Sequence, residues 1–66
     1  MKEVGKRLKD FRKSEGLTCE RFAEKLKVSK SYQSKIELGY RNASKKYIER
    51  FHLTFPNADI VGIFFN

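Results

Sequence analysis

The stretch from Thr18 to Glu37 constrains the fold more than any other part of the sequence. It contains two segments of about eight residues whose apolar side chains recur at helical spacing, separated by a short joint. Thr18 and Ser29 stand where N-caps belong, because a hydroxyl can accept a hydrogen bond from an N–H that the first helical turn leaves unpaired. Helices this short are unstable alone, so they must pack on other parts of the chain. The apolar positions are Phe22, Ala23 and Leu26 in the first segment, and Tyr32 and Ile36 in the second.

Two further segments have the periodicity of amphipathic helices and can supply that packing. Residues 2–14 predict a helix before the central stretch, with Gly16 as its C-cap. Residues 45–54 predict a helix after it, with Ser44 as its N-cap and Pro56 beyond its end. The predicted inward faces are Val4, Leu8 and Phe11 in the first of these helices, and Ile48, Phe51 and Phe55 in the second.

The last segment is compatible with two local structures. Asp59 can cap a short helix over residues 60–65, which we predict as the fifth helix. The same residues, IVGIFF, are rich in strand formers, so a β-strand is the alternative. With the helix, the sequence predicts a single all-α domain of five helices over residues 1–66.

Positive charge is concentrated in the first three quarters of the chain. The formal net charge is +7, and all 15 Lys and Arg residues lie between Lys2 and Arg50. Residues 51–66 carry only Asp59 as a charged side chain at neutral pH. An excess of positive charge favours a polyanion as partner. A basic body with an apolar end therefore indicates one surface for nucleic acid and another for burial or association.

The composition disfavours several other classes of protein. No apolar run approaches the roughly 20 residues of a membrane span, and the charged N-terminus does not lead into a signal-peptide core. We therefore expect a cytoplasmic protein with no membrane partner. No metal-ligand spacing and no nucleophile with a nearby base is present, so we expect no metal site, no enzyme activity, no cofactor and no small-molecule ligand. His52, the single histidine, is expected to be partly buried and hydrogen-bonded.

The central stretch has the length and spacing of a helix-turn-helix. It resembles the helix-turn-helix of the lambda-repressor-like family, which includes phage repressors, Cro proteins and Xre-type regulators. The likeness extends more loosely from Val4 to about Phe64, and it implies a compact five-helix DNA-binding domain. The matching residues are Leu17, Thr18, Glu20, Phe22, Ala23, Val28, Ser29, Ser34, Ile36, Glu37 and Gly39.

Three residues depart from the pattern of that family. Cys19 stands where Gln is usual, Lys27 replaces the Gly of the turn, and Gln33 replaces an Ile that faces the core. A left-handed conformation at Lys27 would cost roughly 1 kcal/mol. Gln33 must turn its amide outward or find a buried partner, because an unpaired buried amide costs about 1–3 kcal/mol.

The second helix of the motif, the recognition helix in this family, should present its polar face to the major groove of DNA. Tyr32 and Ile36 point inward by periodicity, which leaves four polar residues outward at positions that match the family's base-reading and phosphate-reading sites. Lysine can donate to guanine O6 and N7, and serine can donate or accept, so we predict contacts to bases. The alternative is a solvated helix face. The four residues are Lys30, Ser31, Ser34 and Lys35.

The resemblance also implies contacts to the DNA backbone on both sides of the recognition helix. Thr18 and Cys19 begin a helix whose N–H groups and positive dipole end can bind a phosphate. Residues 40–42 match the second phosphate-binding loop of the family. Arg12 matches the partner of Glu37 in a structural ion pair, where it can also be oriented toward a phosphate. The predicted phosphate contacts are Thr18, Cys19, Tyr40, Arg41, Asn42 and Arg12.

The apolar end of the chain exceeds what the core of so small a domain needs. An exposed apolar end indicates an interface, so we predict a two-fold homodimer through the fifth helix and the Pro56 loop. Such a dimer would set two recognition helices about 34 Å apart, one turn of DNA. The alternative is that these residues close the core of the monomer. The predicted interface residues are Val61, Phe64 and Phe65.

Together these features predict a sequence-specific, double-stranded DNA-binding transcriptional regulator. We expect a repressor of the Cro or Xre kind, from a phage or mobile element, that binds a palindromic operator as a homodimer. Repression would follow from occupancy of the promoter. Two alternatives stay open: an antitoxin-like or other partner-binding module of the same fold, and a non-specific nucleic-acid binder driven by charge alone.

Overall fold

A computed structural model describes residues 2–66 as five α-helices, with no β-strand in that range. The all-α prediction is therefore confirmed, and the strand alternative for residues 60–65 is wrong. None of the helices in the described part of the chain has the length and apolar character needed to cross a bilayer. The helices are α1 Lys2–Ser14, α2 Cys19–Leu26, α3 Lys30–Glu37, α4 Lys45–Thr54 and α5 Ile60–Phe64.

Side-chain caps define where four of the helices begin. The hydroxyls of Thr18, Ser29 and Ser44 each accept a hydrogen bond from the backbone N–H three residues later. The carboxylate of Asp59 accepts from the N–H of Gly62 at 2.9 Å. These caps satisfy donors that a helix cannot pair internally, and all four were predicted from the sequence.

An aromatic core joins the helices. Phe22 of α2 and Phe51 of α4 are fully buried, and their ring centroids lie 6.1 Å apart. Phe11 and Phe55 pack on them as partly buried residues at the edge of the core. Offset and edge-to-face pairs of this kind add about 0.5–1.5 kcal/mol each beyond the burial of their surface. The core residues are Val4, Leu8, Phe22, Leu26, Ile36, Tyr47, Phe51, Ile63 and Phe64.

The N-terminal half of α1 lies directly against the C-terminal end of α3. Gly5 is buried, and a Cβ added there would overlap the carbonyl oxygens of Ile36 and Glu37. A Cβ added at Gly39 would come within 2.9 Å of the Cα of Lys2. The two helices therefore meet backbone to backbone, which fixes the position of α3 relative to α1.

The end of the chain closes the core and also leaves apolar surface outside it. Phe64 is 5 % exposed and packs edge-to-face on Phe51, with the ring centroids 5.2 Å apart. This burial corrects the assignment of Phe64 to a subunit interface, because its side chain is used within the protomer. Val61 and Phe65, by contrast, are 66 % and 67 % exposed. Arg7 of α1 holds this segment in place by donating from Nε to the carbonyl of Ile63 at 3.0 Å.

Three helices end in the same hydrogen-bond pattern, and one of them does so without glycine. After α1 and α3 the left-handed residue is Gly16 or Gly39, with φ of 71° and 85°. After α2 it is Lys27, with φ of 59° and ψ of 40°. The N–H of Val28 donates to the carbonyl of Ala23, which completes a Schellman motif. Lys27 thus adopts the strained conformation that its position in the turn predicted.

Lys27→Gly should raise the free energy of unfolding by about 1 kcal/mol, because it removes the Cβ clash of the left-handed conformation. The urea midpoint measured by circular dichroism would report this change. Lys25→Gly is the matched control, since Lys25 is an exposed lysine inside α2, where glycine should cost about 0.5–1 kcal/mol. Equal destabilisation by both substitutions would show that Lys27 carries no strain.

Candidate nucleic-acid interface

The outward face of α3 carries the polar residues that were predicted to read bases. Lys30, Ser31 and Lys35 are exposed, whereas Ser34 is half-buried. The helix spans eight residues, about 12 Å at 1.5 Å per residue. Lysine and serine side chains on the exposed face of a helix of this length can reach the base edges of a major groove. Ser34 has less freedom to do so because it faces a cleft beside Cys19 and Arg12.

A buried polar chain anchors the inner face of α3. Gln33 is fully buried, and its Oε1 accepts a hydrogen bond of 2.5 Å from the hydroxyl of Tyr47. Its Nε2 donates to Oε2 of Glu37 at 2.8 Å. Gln33 thus keeps its amide inside and satisfies it there, which was one of the two predicted outcomes. Within residues 2–66, every buried side-chain nitrogen and oxygen has a hydrogen-bond partner.

Arg12 extends this polar chain to α1 and to the turn before α2. Its Nε and Nη2 donate to the two carboxylate oxygens of Glu37 at 2.9 and 3.1 Å, and its Nη1 donates to the carbonyl of Leu17 at 2.8 Å. The hydrogen bond to Glu37 raises the pKa of the Arg12 guanidinium. The predicted ion pair is present, with the Arg12 side chain only 12 % exposed. Arg12 therefore joins three elements, and its contact to a phosphate stays a prediction.

Tyr32 was predicted to point into the core, and in the structure it is partly buried at the edge of the core. Its ring packs edge-to-face on Tyr47 at 6.0 Å, and the guanidinium of Arg41 lies over it at 5.6 Å from the centroid. Gln33 takes the fully buried place instead. Tyr47 was missed as a core residue, although its position four residues before Phe51 puts both on one helix face. Burial raises the pKa of the Tyr47 phenol, so the hydroxyl stays protonated and can donate to Gln33.

At the start of α2 the side chain of the cap is already hydrogen-bonded, whereas two backbone N–H groups are free to bind a ligand. The Thr18 hydroxyl already accepts from the N–H of Arg21 at 3.1 Å. The N–H groups of Cys19 and Glu20, one and two residues after the cap, have no partner inside a helix, and they coincide with its positive dipole end. Cys19 is half-buried, and this burial raises the pKa of its thiol. The thiol is therefore mainly protonated at neutral pH, and an anion at this helix end would bind to the backbone.

The loop after α3 presents the second predicted set of phosphate contacts. Tyr40 is 77 % exposed, and Arg41 and Asn42 are exposed beside it. The N–H of Tyr40 donates to the carbonyl of Lys35 at 2.9 Å, which ties the loop to the end of α3. Because Arg41 lies over Tyr32 and Ser34 shares a cleft with Cys19, the loop, the face of α3 and the start of α2 form one continuous surface.

An open apolar groove runs between α4 and α5, away from the polar chain. It has a volume of about 650 Å³. His52 is exposed in this groove, which corrects the expectation that it is partly buried. The groove is lined by Lys45, Ile48, Glu49, His52, Ile60 and Phe65.

Comparison with known proteins identifies one family. The sequence model of a family described as "Helix-turn-helix domain" matches residues 3–52, which include all of α2 and α3 and most of α1 and α4. No curated protein and no solved structure gives a significant match to the chain.

Tyr47→Phe should lower the free energy of unfolding by about 1–3 kcal/mol, because it leaves the Oε1 of Gln33 buried without a donor. Urea unfolding followed by circular dichroism measures the loss. Replacement of both partners, Gln33→Leu with Tyr47→Phe, should recover most of it, since no buried polar atom is then orphaned.

Tyr40→Phe is the matched control for the loss of one tyrosine hydroxyl, because Tyr40 is exposed. We expect it to change stability by less than about 0.5 kcal/mol. If Tyr47→Phe were as mild as Tyr40→Phe, the hydrogen bond to Gln33 would not hold α3 in place.

Proposed function

Because the chain belongs to the helix-turn-helix domain family, a DNA-binding class, we propose that it is a sequence-specific transcriptional regulator that acts as a homodimer on a palindromic operator. The proposal is supported above all by one observation, the exposed polar face of α3 on a helix whose inner face is fully anchored. A fixed helix with free lysine and serine side chains is suited to reading base edges.

Base reading is assigned to the outward residues of α3. Lys30 and Lys35 can donate to guanine O6 and N7, and Ser31 can donate or accept at several bases. A lysine lacks the rigid fork of arginine, so each lysine discriminates less sharply between bases. Ser34 is assigned a smaller part, because it is half-buried against the cleft beside Cys19.

Backbone contacts would then orient the domain on the duplex. The N–H groups at the start of α2, where Thr18 is the cap and Cys19 the first helical residue, would hold one phosphate. Tyr40, Arg41 and Asn42 would hold another beyond the far end of α3. The net charge of +7 would supply the long-range attraction to the phosphate backbone.

Dimer formation is assigned to the apolar groove between α4 and α5. Phe65 is two-thirds exposed there, and Ile48 and Ile60 also line the groove. Val61, which follows Ile60 in α5, is exposed to the same extent outside the groove lining. A second copy of the chain could bury these side chains in a two-fold contact, and a dimer of this kind matches a palindromic operator. A dimer that occupies a promoter would act as a repressor.

A second candidate function rests on the same groove. The surface that its residues expose to the groove is almost entirely apolar, so the groove could instead bind a different protein. The chain would then act as an antitoxin-like module. The oligomeric state in solution separates the two candidates, because a regulator of the proposed kind pairs with itself.

Selection of bound duplexes from a random pool tests the proposed function. We expect a palindromic winner that binds roughly a thousandfold more tightly than random DNA. Titration of that winner at two salt concentrations would separate base reading from charge attraction. If nothing is enriched and affinity simply falls with salt, the protein binds nucleic acid without specificity.

A matched pair of lysine variants tests which lysine contacts a base of the selected duplex. Lys35→Ala should weaken binding by about 1–3 kcal/mol and relax the preference at one base pair. Lys25→Ala removes the same charge from an exposed site on α2 and should leave the selected sequence unchanged. A loss for Lys35→Ala that is uniform over all sequences would make Lys35 a phosphate contact.

Phe65→Asp should dissociate the dimer, because it places a carboxylate from each copy in a desolvated apolar contact. Light scattering with size-exclusion chromatography measures the mass, and circular dichroism checks that the helices remain. Leu53→Asp is the control, since Leu53 is 80 % exposed and lies outside the groove. A Phe65→Asp protein that stays dimeric would place the interface elsewhere.

A further inference from the structure

One face of α1 carries a row of lysines that the proposed function has not used. Lys2, Lys6, Lys9 and Lys13 are spaced by four, three and four residues, so at about 100° per residue they fall on one stripe of the helix. All four are exposed. The buried residues Val4 and Leu8 lie on the opposite side.

This lysine row is unfavourable for the helix that carries it. Like charges at spacings of three and four residues destabilise a helix by about 0.2–0.5 kcal/mol per pair. Lys2 also stands in the first turn of α1, where the positive dipole end disfavours a cation. Glu3 and Asp10, three or four residues from Lys6 and Lys13, offset part of this repulsion, and an anion along the stripe would relieve the rest.

The lysine row borders the proposed DNA-binding surface. Lys9 lines a cleft with Cys19 and Ser34, beside the phosphate site at the start of α2 and the face of α3. Lys2 and Lys6 line the adjoining cleft with Leu38, where α3 ends. Two carboxylates also face that cleft: Glu3, and Glu37, whose charge Arg12 neutralises and whose Oε2 accepts a hydrogen bond from Gln33.

We infer that the lysine row on α1 is a further phosphate-binding track, which extends the DNA footprint beyond the recognition helix. It binds the sugar–phosphate backbone through charge alone and carries no base preference. This inference rests on the proposed function, since it concerns the same DNA-bound state. The lysine row therefore raises the affinity for DNA, and the salt dependence of that affinity, equally for every operator sequence.

The test is the salt dependence of binding to the selected duplex. Each phosphate contact contributes about 0.9 to the slope of log affinity against log salt, so the triple variant Lys2→Gln, Lys6→Gln and Lys9→Gln should lower the slope by about 2.7. The selected sequence should not change. The same three positions replaced by Arg should keep the slope, and urea unfolding should show that the Gln variant is at least as stable as the parent.

Lys9→Gln and Lys25→Gln form a matched pair that separates position from net charge. Each removes one exposed helical lysine, but Lys9 borders the DNA-binding surface and Lys25 lies in a cleft on the other side of α2 with Arg50 and Leu53. We expect Lys9→Gln to lower the slope by about 0.9 and Lys25→Gln to leave it nearly unchanged.

The outcomes distinguish the inference from the proposed function. An unchanged slope in the triple variant, or equal effects of the matched pair, overturns the phosphate track while operator binding by the parent still stands. A changed base preference also overturns it, because the lysines would then contact bases. Failure of the parent protein to bind any duplex overturns both.

Discussion

The geometry of the proposed DNA-binding surface depends on one buried chain of hydrogen bonds. It runs from the Tyr47 hydroxyl through Gln33 to Glu37, and from Glu37 through Arg12 to the carbonyl of Leu17. Four parts of the molecule therefore meet in it: α4, α3, α1 and the turn before α2. In a low-dielectric interior such a chain is favourable only when every member is satisfied, so it accepts one orientation of α3 and few others. An isoleucine in place of Gln33 would pack in the core but would form no hydrogen bond that fixes the orientation of α3.

Much of this fold could be predicted from the sequence because its helix boundaries are set by local chemistry. The caps at Thr18, Ser29, Ser44 and Asp59 act on neighbouring residues, and all were found where the sequence placed them. The pairing of Arg12 with Glu37 was likewise predicted, but only through the resemblance to a family, since 25 residues separate the two. Periodicity alone could not have brought them together.

What the sequence could not give was the allocation of individual side chains between core and surface. Phe64 and Phe65 are neighbours of similar character, yet only Phe64 enters the core, because the hydrogen bond from Arg7 and the cap at Asp59 fix the rotation of α5. In α3, likewise, Gln33 is the fully buried residue and Tyr32 is only partly buried, because the contacts that decide between them come from a distant part of the chain. A polar residue is read as outward unless its partner is known, and Tyr47, the partner, lies 14 residues away.

The backbone contact between α1 and α3 at Gly5 has a consequence for how DNA would be read. If α3 is the recognition helix, that contact and the buried polar chain would resist its rolling or tilting to suit a groove of different width. Any misfit between protein and operator must then be absorbed by the duplex, whose readiness to bend, twist or narrow varies with its base steps. The stiffness of this small domain would thereby turn the deformability of DNA into part of the recognition code, at base pairs that no side chain touches.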